Sequence, residues 1–110
     1  MNRFEVADGA AEEFTGRAHA ALAALAACPG YRAGRLTRAL DEPGSWCLVT
    51  EWESVGTYRR ALGAFDVKVR ATPLLAESAD EPTAYEVLAT ADPAGAVSVH
   101  TSDRAAQPWR

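Results

Sequence analysis

Residues 46–53, Trp46-Cys47-Leu48-Val49-Thr50-Glu51-Trp52-Glu53, decide the fold. The stretch is aromatic and β-branched, the composition that suits a pleated, half-buried surface. Its side chains alternate, with Trp46, Leu48, Thr50 and Trp52 on one side and Cys47, Val49 and Glu51 on the other. It reads as the central strand of a sheet. Just before it stand the turn residues Asp41-Glu42-Pro43-Gly44. Before those, residues 31–40 keep the same period of two, with Tyr31, Ala33, Arg35 and Thr37 on one face and Arg32, Gly34, Leu36 and Arg38 on the other. The two runs form a hairpin.

Working outward, residues 10–27 are rich in Ala, Leu and Glu, and Phe14, Ala18, Leu22 and Leu25 recur at helical spacing. Glu12 and Glu13 complement the positive end of this helix, and Pro29-Gly30 stops it. Residues 3–7, with Phe4 and Val6 on one face, predict a short first strand ending at Asp8-Gly9. Ser54 is a good cap for a second helix through Leu62, which Gly63 closes. A further helical segment starts at Asp66, with Asp66 as its cap, and is interrupted at Thr72-Pro73, where Thr72 caps a new turn. Residues 83–88 alternate again and predict a closing strand.

The order is therefore βαββαβ, a ferredoxin-like α+β arrangement with both helices on one face of a four-stranded antiparallel sheet. One domain over residues 1–88 accounts for all these elements, and residues 89–110, dominated by Ala, Gly, Asp, Pro, Ser and Gln, read as a flexible tail, mobile from Asp92 onward. With apolar weight on both faces of the central strand, the face left bare by the helices needs a cover, and a second copy of the sheet is the natural one. A domain of 110 residues buries only about two-thirds of its unfolded surface, which points the same way, to a homodimer joined through its sheet faces.

Eleven Lys and Arg against fifteen Asp and Glu leave a formal charge of -4, which opposes binding to nucleic acid or to anionic membrane surfaces. No apolar run has the length of a membrane span, and the first eight residues lack the pattern of a secretion signal. The expectation is a soluble, unprocessed, cytoplasmic protein. Cys28 and Cys47 show no metal-ligand spacing and read as two reduced, buried thiols. The glycines stand singly, so no phosphate-cradling loop is present.

From Pro29-Gly30-Tyr31 through Trp46-Cys47-Leu48-Val49-Thr50-Glu51-Trp52-Glu53-Ser54 the chain resembles the antibiotic biosynthesis monooxygenase family of dimeric α+β barrels. Tyr58-Arg59-Arg60-Ala61-Leu62, Asp66-Val67-Lys68, Pro73-Leu74-Leu75 and the run from Asp80-Glu81-Pro82 to Tyr85-Glu86-Val87-Leu88 extend the likeness over about residues 1–88. The resemblance implies two ferredoxin-like subunits packed sheet to sheet, each with a pocket between sheet and helices. It also implies one of two chemistries: oxidation of aromatic polyketides by dioxygen with no bound metal, flavin or other cofactor, or haem degradation. Haem-degrading relatives use an Asn on the first strand, a Trp in the second helical region and a nearby His. This chain has Val6 or Ala7, Ala61 and Arg70-Ala71-Thr72 at the matching places, which disfavours that activity.

Cofactor-free oxidation needs apolar walls around an electron-rich aromatic substrate, a base to form its anion, and a cation or donor beside that anion. Trp46, Trp52, Tyr58 and Phe65 are the candidate walls, and Arg38 and Arg70 the candidate catalytic cations. Each has a plainer alternative: core or interface packing for the aromatics, surface ion pairs for the arginines. Asp66 is a helix cap before it is a base, His19 lies off the apolar stripe of its helix, and His100 falls in the tail. Asn2 and Tyr31 are possible donors at a cavity mouth or simply exposed strand ends. Three readings stay open at this level: a cofactor-independent monooxygenase acting on an aromatic, polyketide-like small molecule; a non-catalytic dimeric module that binds a small molecule or scaffolds a pathway; and an isomerase or cyclase using the same pocket.

Overall fold

The computed structural model describes residues 1–102. Its core is a three-stranded antiparallel sheet of β1 (Asn2–Glu5), β2 (Tyr31–Arg38) and β3 (Ser45–Trp52) in the order β1-β3-β2. The long helix α1 (Ala11–Ala26) and the short helices α2 (Val55–Leu62), α3 (Phe65–Arg70) and α4 (Thr72–Leu75) supply the helical layer. A separate hairpin, β4 (Ala89–Ala91) with β5 (Val97–Val99), follows. No helix among the described residues is long and apolar enough to cross a membrane.

The central strand is β3, as its composition required. Register pairs Phe4 with Trp46, Leu36 with Leu48 and Arg38 with Trp46, so these residues share the helix-facing side. Phe4, Trp46 and Leu48 are buried there against Phe14, Ala18, Ala21 and Leu25 of α1, with Val67 of α3 and Leu74 of α4 closing the core. The small residues Ala18, Ala21 and Ala24 let α1 lie close to the sheet, an economy of volume that helix propensity favours at no cost.

The helices start and stop for local reasons. Ser54 caps α2 with a full capping box: its hydroxyl accepts from the Thr57 N–H at 3.1 Å, and the Thr57 hydroxyl accepts from the Ser54 N–H at 3.2 Å. Asp66 is not a cap, because α3 begins one residue earlier; the carboxylate sits in the first turn, where it still complements the helix dipole. Thr72 likewise opens α4 from within, behind Ala71.

Four expectations are corrected. The first concerns the closing strand. Residues 79–83 do run antiparallel to β1, since the Ala79 N–H donates to the Arg3 carbonyl at 2.7 Å and the Met1 amine donates to the Thr83 carbonyl at 2.5 Å. Pro82 has no N–H to give, and Thr83 already lies level with Met1, so residues 84–88 extend beyond the start of β1 and meet the chain after β5 instead, where the His100 N–H donates to the Leu88 carbonyl at 2.8 Å and the Ser102 hydroxyl to the Glu86 carboxylate at 2.6 Å. The sheet is therefore three-stranded with a two-bond fringe, not four-stranded.

The second concerns the tail, which carries the β4–β5 hairpin as far as Val99; residues 103–110 of the stretch lie outside the described residues. The third is the bare face of the sheet. Register puts Arg3, Glu5, Arg35, Thr37 and Glu51 there beside Ala33, Cys47 and Val49, so the apolar weight lies almost wholly on the helix side. Fourth, Cys28 and Cys47 are unpaired but only half-buried, the Cys28 thiol donating to the Ala24 carbonyl at 3.5 Å.

Candidate active site

Where β1 leaves the sheet and α1 begins, a cleft of about 230 Å³ opens between the two layers. Its floor is Phe4, Val6 and Phe14; Ala7 and Ala10 form one wall, and Glu5, Glu13, Arg17 and Glu77 bring charge to the rim. The helix explains the juxtaposition. Glu13 and Arg17 are four residues apart on α1 and so lie one above the other, with Phe14 beside them turned into the core.

The floor is held by aromatic packing. The Phe4 and Phe14 rings are 5.1 Å apart and tilted by 60°, and Phe14 meets Trp46 edge-on at 5.4 Å. Behind Trp46, the guanidinium of Arg38 lies 5.2 Å from the ring centre, within cation–π range. The rim is held by charge. Arg17 grips Glu77 with both arms of its fork, Nη2 to Oε2 at 2.5 Å and Nη1 to Oε1 at 3.2 Å. Hydrogen bonding to Glu77, with a smaller contribution from Glu13, raises the Arg17 pKa, and the Arg17 hydrogen bond holds the Glu77 carboxyl below its ordinary value. Among the described residues, Glu77 engages two of the five guanidinium N–H groups of Arg17.

A second aromatic cluster occupies the other end of β3. Trp52 meets Tyr31 edge-on at 5.4 Å and Tyr58 at 5.6 Å, and its indole N–H donates to the Thr50 hydroxyl at 2.9 Å. A β-bulge between Tyr31 and Ala33 makes this possible by turning Tyr31 from the Ala33 side, where simple alternation puts it, to the Trp52 side. Its hydroxyl then lies over Gly34, where an added Cβ would be 2.3 Å away. Burial pushes the Tyr58 phenol up from its ordinary value.

Of the six residues singled out in the sequence, the structure joins two pairs, Arg38 with Trp46 and Trp52 with Tyr58. Trp46 and Trp52 are six residues apart on one strand, roughly 20 Å at the usual rise, so the pairs are separate clusters. Phe65 is 79% exposed in the first turn of α3, and Arg70 is exposed at its end. None of the six lines the cleft, although Trp46 and Arg38 back its floor. Asn2 donates to the Ser78 hydroxyl at 3.2 Å, and His19 is exposed. Phe4, Glu13, Phe14, Arg17 and Glu77 escaped the sequence reading as site residues. The signal available was Glu13-Phe14 followed by Arg17, which sets an acid, a ring and a base on adjacent turns.

Residues 1–68 match the model of the antibiotic biosynthesis monooxygenase family, and the chain belongs to that family. Among solved structures it is similar to SnoaB, a cofactor-independent oxygenase from Streptomyces nogalater, at 33% identity and a TM-score of 0.62, over 79% of this chain and 91% of that one. A mutant of the same enzyme aligns over 94% of this chain and 90% of its own, at 26% identity and a TM-score of 0.62. A conserved protein from Methanosarcina mazei shares the fold at 18% identity and a TM-score of 0.61, over 74% of this chain and 79% of that one. Comparison with curated proteins finds no significant match.

Proposed function

We propose that this protein is a cofactor-independent monooxygenase that oxidises an aromatic, polyketide-like small molecule with dioxygen in the cleft between β1 and α1, acting in the cytoplasm as a homodimer joined through its sheet faces. The observation that carries the reading is the cleft itself, with an aromatic floor of Phe4 and Phe14 and, on adjacent turns of one helix, a carboxylate and a guanidinium. The similarity to SnoaB, named a cofactor-independent oxygenase, supports the same chemistry.

In this scheme the substrate ring lies on Phe4 and Phe14, and Glu13 takes a proton from an activated CH₂ between aromatic rings. Arg17 stabilises the resulting enolate oxygen with N–H groups that Glu77 does not occupy. The carbanion gives electrons to dioxygen and forms a C–O bond; the peroxide, protonated by Glu13, loses water to leave a ketone. One CH₂ and one O₂ thus become one C=O and one H₂O. Arg38, stacked on Trp46, acts as a positioning residue for the floor; on the bare sheet face Arg3 pairs with Glu5 and Glu81, and Arg35 faces Glu51 at 3.9 Å, so that face offers a two-fold contact a charge-balanced surface.

The test is oxygen uptake by metal-free protein with an anthrone-type substrate. Glu13→Gln and Arg17→Ala should each lower kcat by about 100-fold or more, the usual worth of a positioned acid–base or oxyanion group. Arg38→Ala, which loosens the floor behind Trp46, should lower the rate by less than either, and Arg70→Ala, outside the cleft, should leave it unchanged. No protein-dependent uptake with several such substrates removes the oxygenase reading and leaves a small-molecule-binding or pathway-scaffolding dimer.

A further inference from the structure

Helix α3 turns apolar side chains in two opposite directions. Val67 is fully buried in the core, while Phe65 is 79% and Val69 56% exposed. On a helix, residues four apart lie one above the other, and the residue midway between them points almost the opposite way. Phe65 and Val69 therefore form one outward face, across the helix from Val67. Core packing accounts for Val67 and leaves the outward pair in solvent. Lys68, three residues on from Phe65, flanks the same face.

The surroundings of this face are basic. Residues 55–71 hold Arg59, Arg60, Lys68 and Arg70 against the single acid Asp66, a local charge of +3 in a chain of formal charge -4. All four bases are exposed. Arg59 and Arg60 stand in the last turn of α2, whose Ala61 is buried in the core, so they too look outward. None of the four is in an ion pair among the described residues; Arg60 reaches back toward Gly56 of its own helix. The negative net charge, which opposes binding to anionic surfaces for the chain as a whole, is thus unevenly spread.

We propose that the outer face of α2 and α3 docks on an anionic lipid membrane, Phe65 and Val69 entering the headgroup layer while Arg59, Arg60, Lys68 and Arg70 meet the lipid phosphates. Charge decides against a second copy of the chain as the occupant, since a symmetric contact through this face sets the bases of both copies against each other. Shape decides against a protein partner seated in a groove: a ring that is 79% exposed stands clear of its neighbours, which suits insertion into a fluid interface. An apolar centre with a basic rim is what interfacial binding uses, buried apolar area and attraction to anionic headgroups acting together. No described helix can cross a membrane, and this face gives the protein the means to lie on one. The inference is independent of the oxygenase reading.

The experiment is co-sedimentation of the full-length protein with vesicles of phosphatidylglycerol and, separately, of phosphatidylcholine, at low and high salt, with circular dichroism as the check of folding. The parent should pellet with phosphatidylglycerol at low salt and stay in solution at high salt or with phosphatidylcholine. Lys68→Gln/Arg70→Gln should weaken partitioning about 25-fold, roughly fivefold for each charge, and Phe65→Ser/Val69→Ser about tenfold. Arg35→Gln, on the bare sheet face, should bind as the parent does. A parent that ignores phosphatidylglycerol overturns the proposal, and if it is retained on immobilised polyglutamate the face serves an acidic protein instead. Equal binding to both lipids overturns it too, as does a loss for Arg35→Gln that matches the α3 charge variant, because the attraction then comes from elsewhere. Parental binding by Phe65→Ser/Val69→Ser overturns the insertion of the apolar pair. Where a double variant fails to fold, Lys68→Gln and Phe65→Ser alone replace it, with losses of about fivefold each and the same outcomes.

Discussion

Phe14→Ala probes a side chain that joins the helix, the sheet and the candidate site. The ring is 7% exposed and touches both Phe4 and Trp46. Removing roughly 120 Å² of apolar surface from a buried phenylalanine costs about 3 kcal/mol at 25 cal/mol/Å². The two ring contacts, at the low end of about 0.5 kcal/mol each beyond their area, add roughly 1 kcal/mol. The void would open into the existing cleft, where water can enter, so the added cavity cost stays small and the total is about 3–4 kcal/mol, the low end for a buried phenylalanine. In a domain of this size that is a drop in Tm of roughly 15 °C. Urea unfolding should show a lower midpoint with an unchanged slope. Phe14→Leu, which keeps most of the volume, should cost about 1.5 kcal/mol. A loss below about 1 kcal/mol for Phe14→Ala, or equal losses for the two variants, would refute the placement of Phe14 as the joint of these layers.

Two further outcomes follow from single positions. Gly30 has φ +88°, and a Cβ there would lie 2.4 Å from the Thr57 Cβ, so Gly30→Ala should cost about 3 kcal/mol from the left-handed backbone and the overlap together, read by urea unfolding; a neutral result would mean the turn is not held as described. Tyr58 is half-buried and its phenol pKa is raised by desolvation, so the folded state keeps its proton where the unfolded chain has lost it. That contribution is fully present below the unfolded value of 10.0 and is lost as pH rises from there through the higher folded value. Tyr58→Phe should flatten the alkaline fall in stability, and phenolate absorbance should show one tyrosine titrating late; three tyrosines titrating together would contradict it.

The sequence by itself determined the elements whose signals are local. The 3.6-residue period of Phe14, Ala18 and Leu25 sets α1 and its buried face, and the two-residue period of residues 31–38 and 46–52 sets the β2–β3 hairpin. Trp46, Leu48 and the family likeness were legible for the same reason: a strand's alternation settles which residues share a face before any partner is known. The capping box at Ser54 was half legible, its hydroxyl cap evident and its Thr57 partner not.

Only the tertiary structure decided what depends on distance along the chain. Residues 83–88 have the composition of a strand, yet Thr83 reaches the level of Met1, where β1 offers no further residue to pair with, because a strand joins a sheet only where another lies beside it. Tyr31 changes face through a bulge that alternation cannot announce. The cleft unites Phe4, Glu13, Arg17 and Glu77 from segments up to 73 positions apart, a juxtaposition that arises from the way α1 and the chain after α4 pack over the end of β1. Local periodicity specifies faces; which faces meet, and what space is left between them, is a property of packing the whole chain at once.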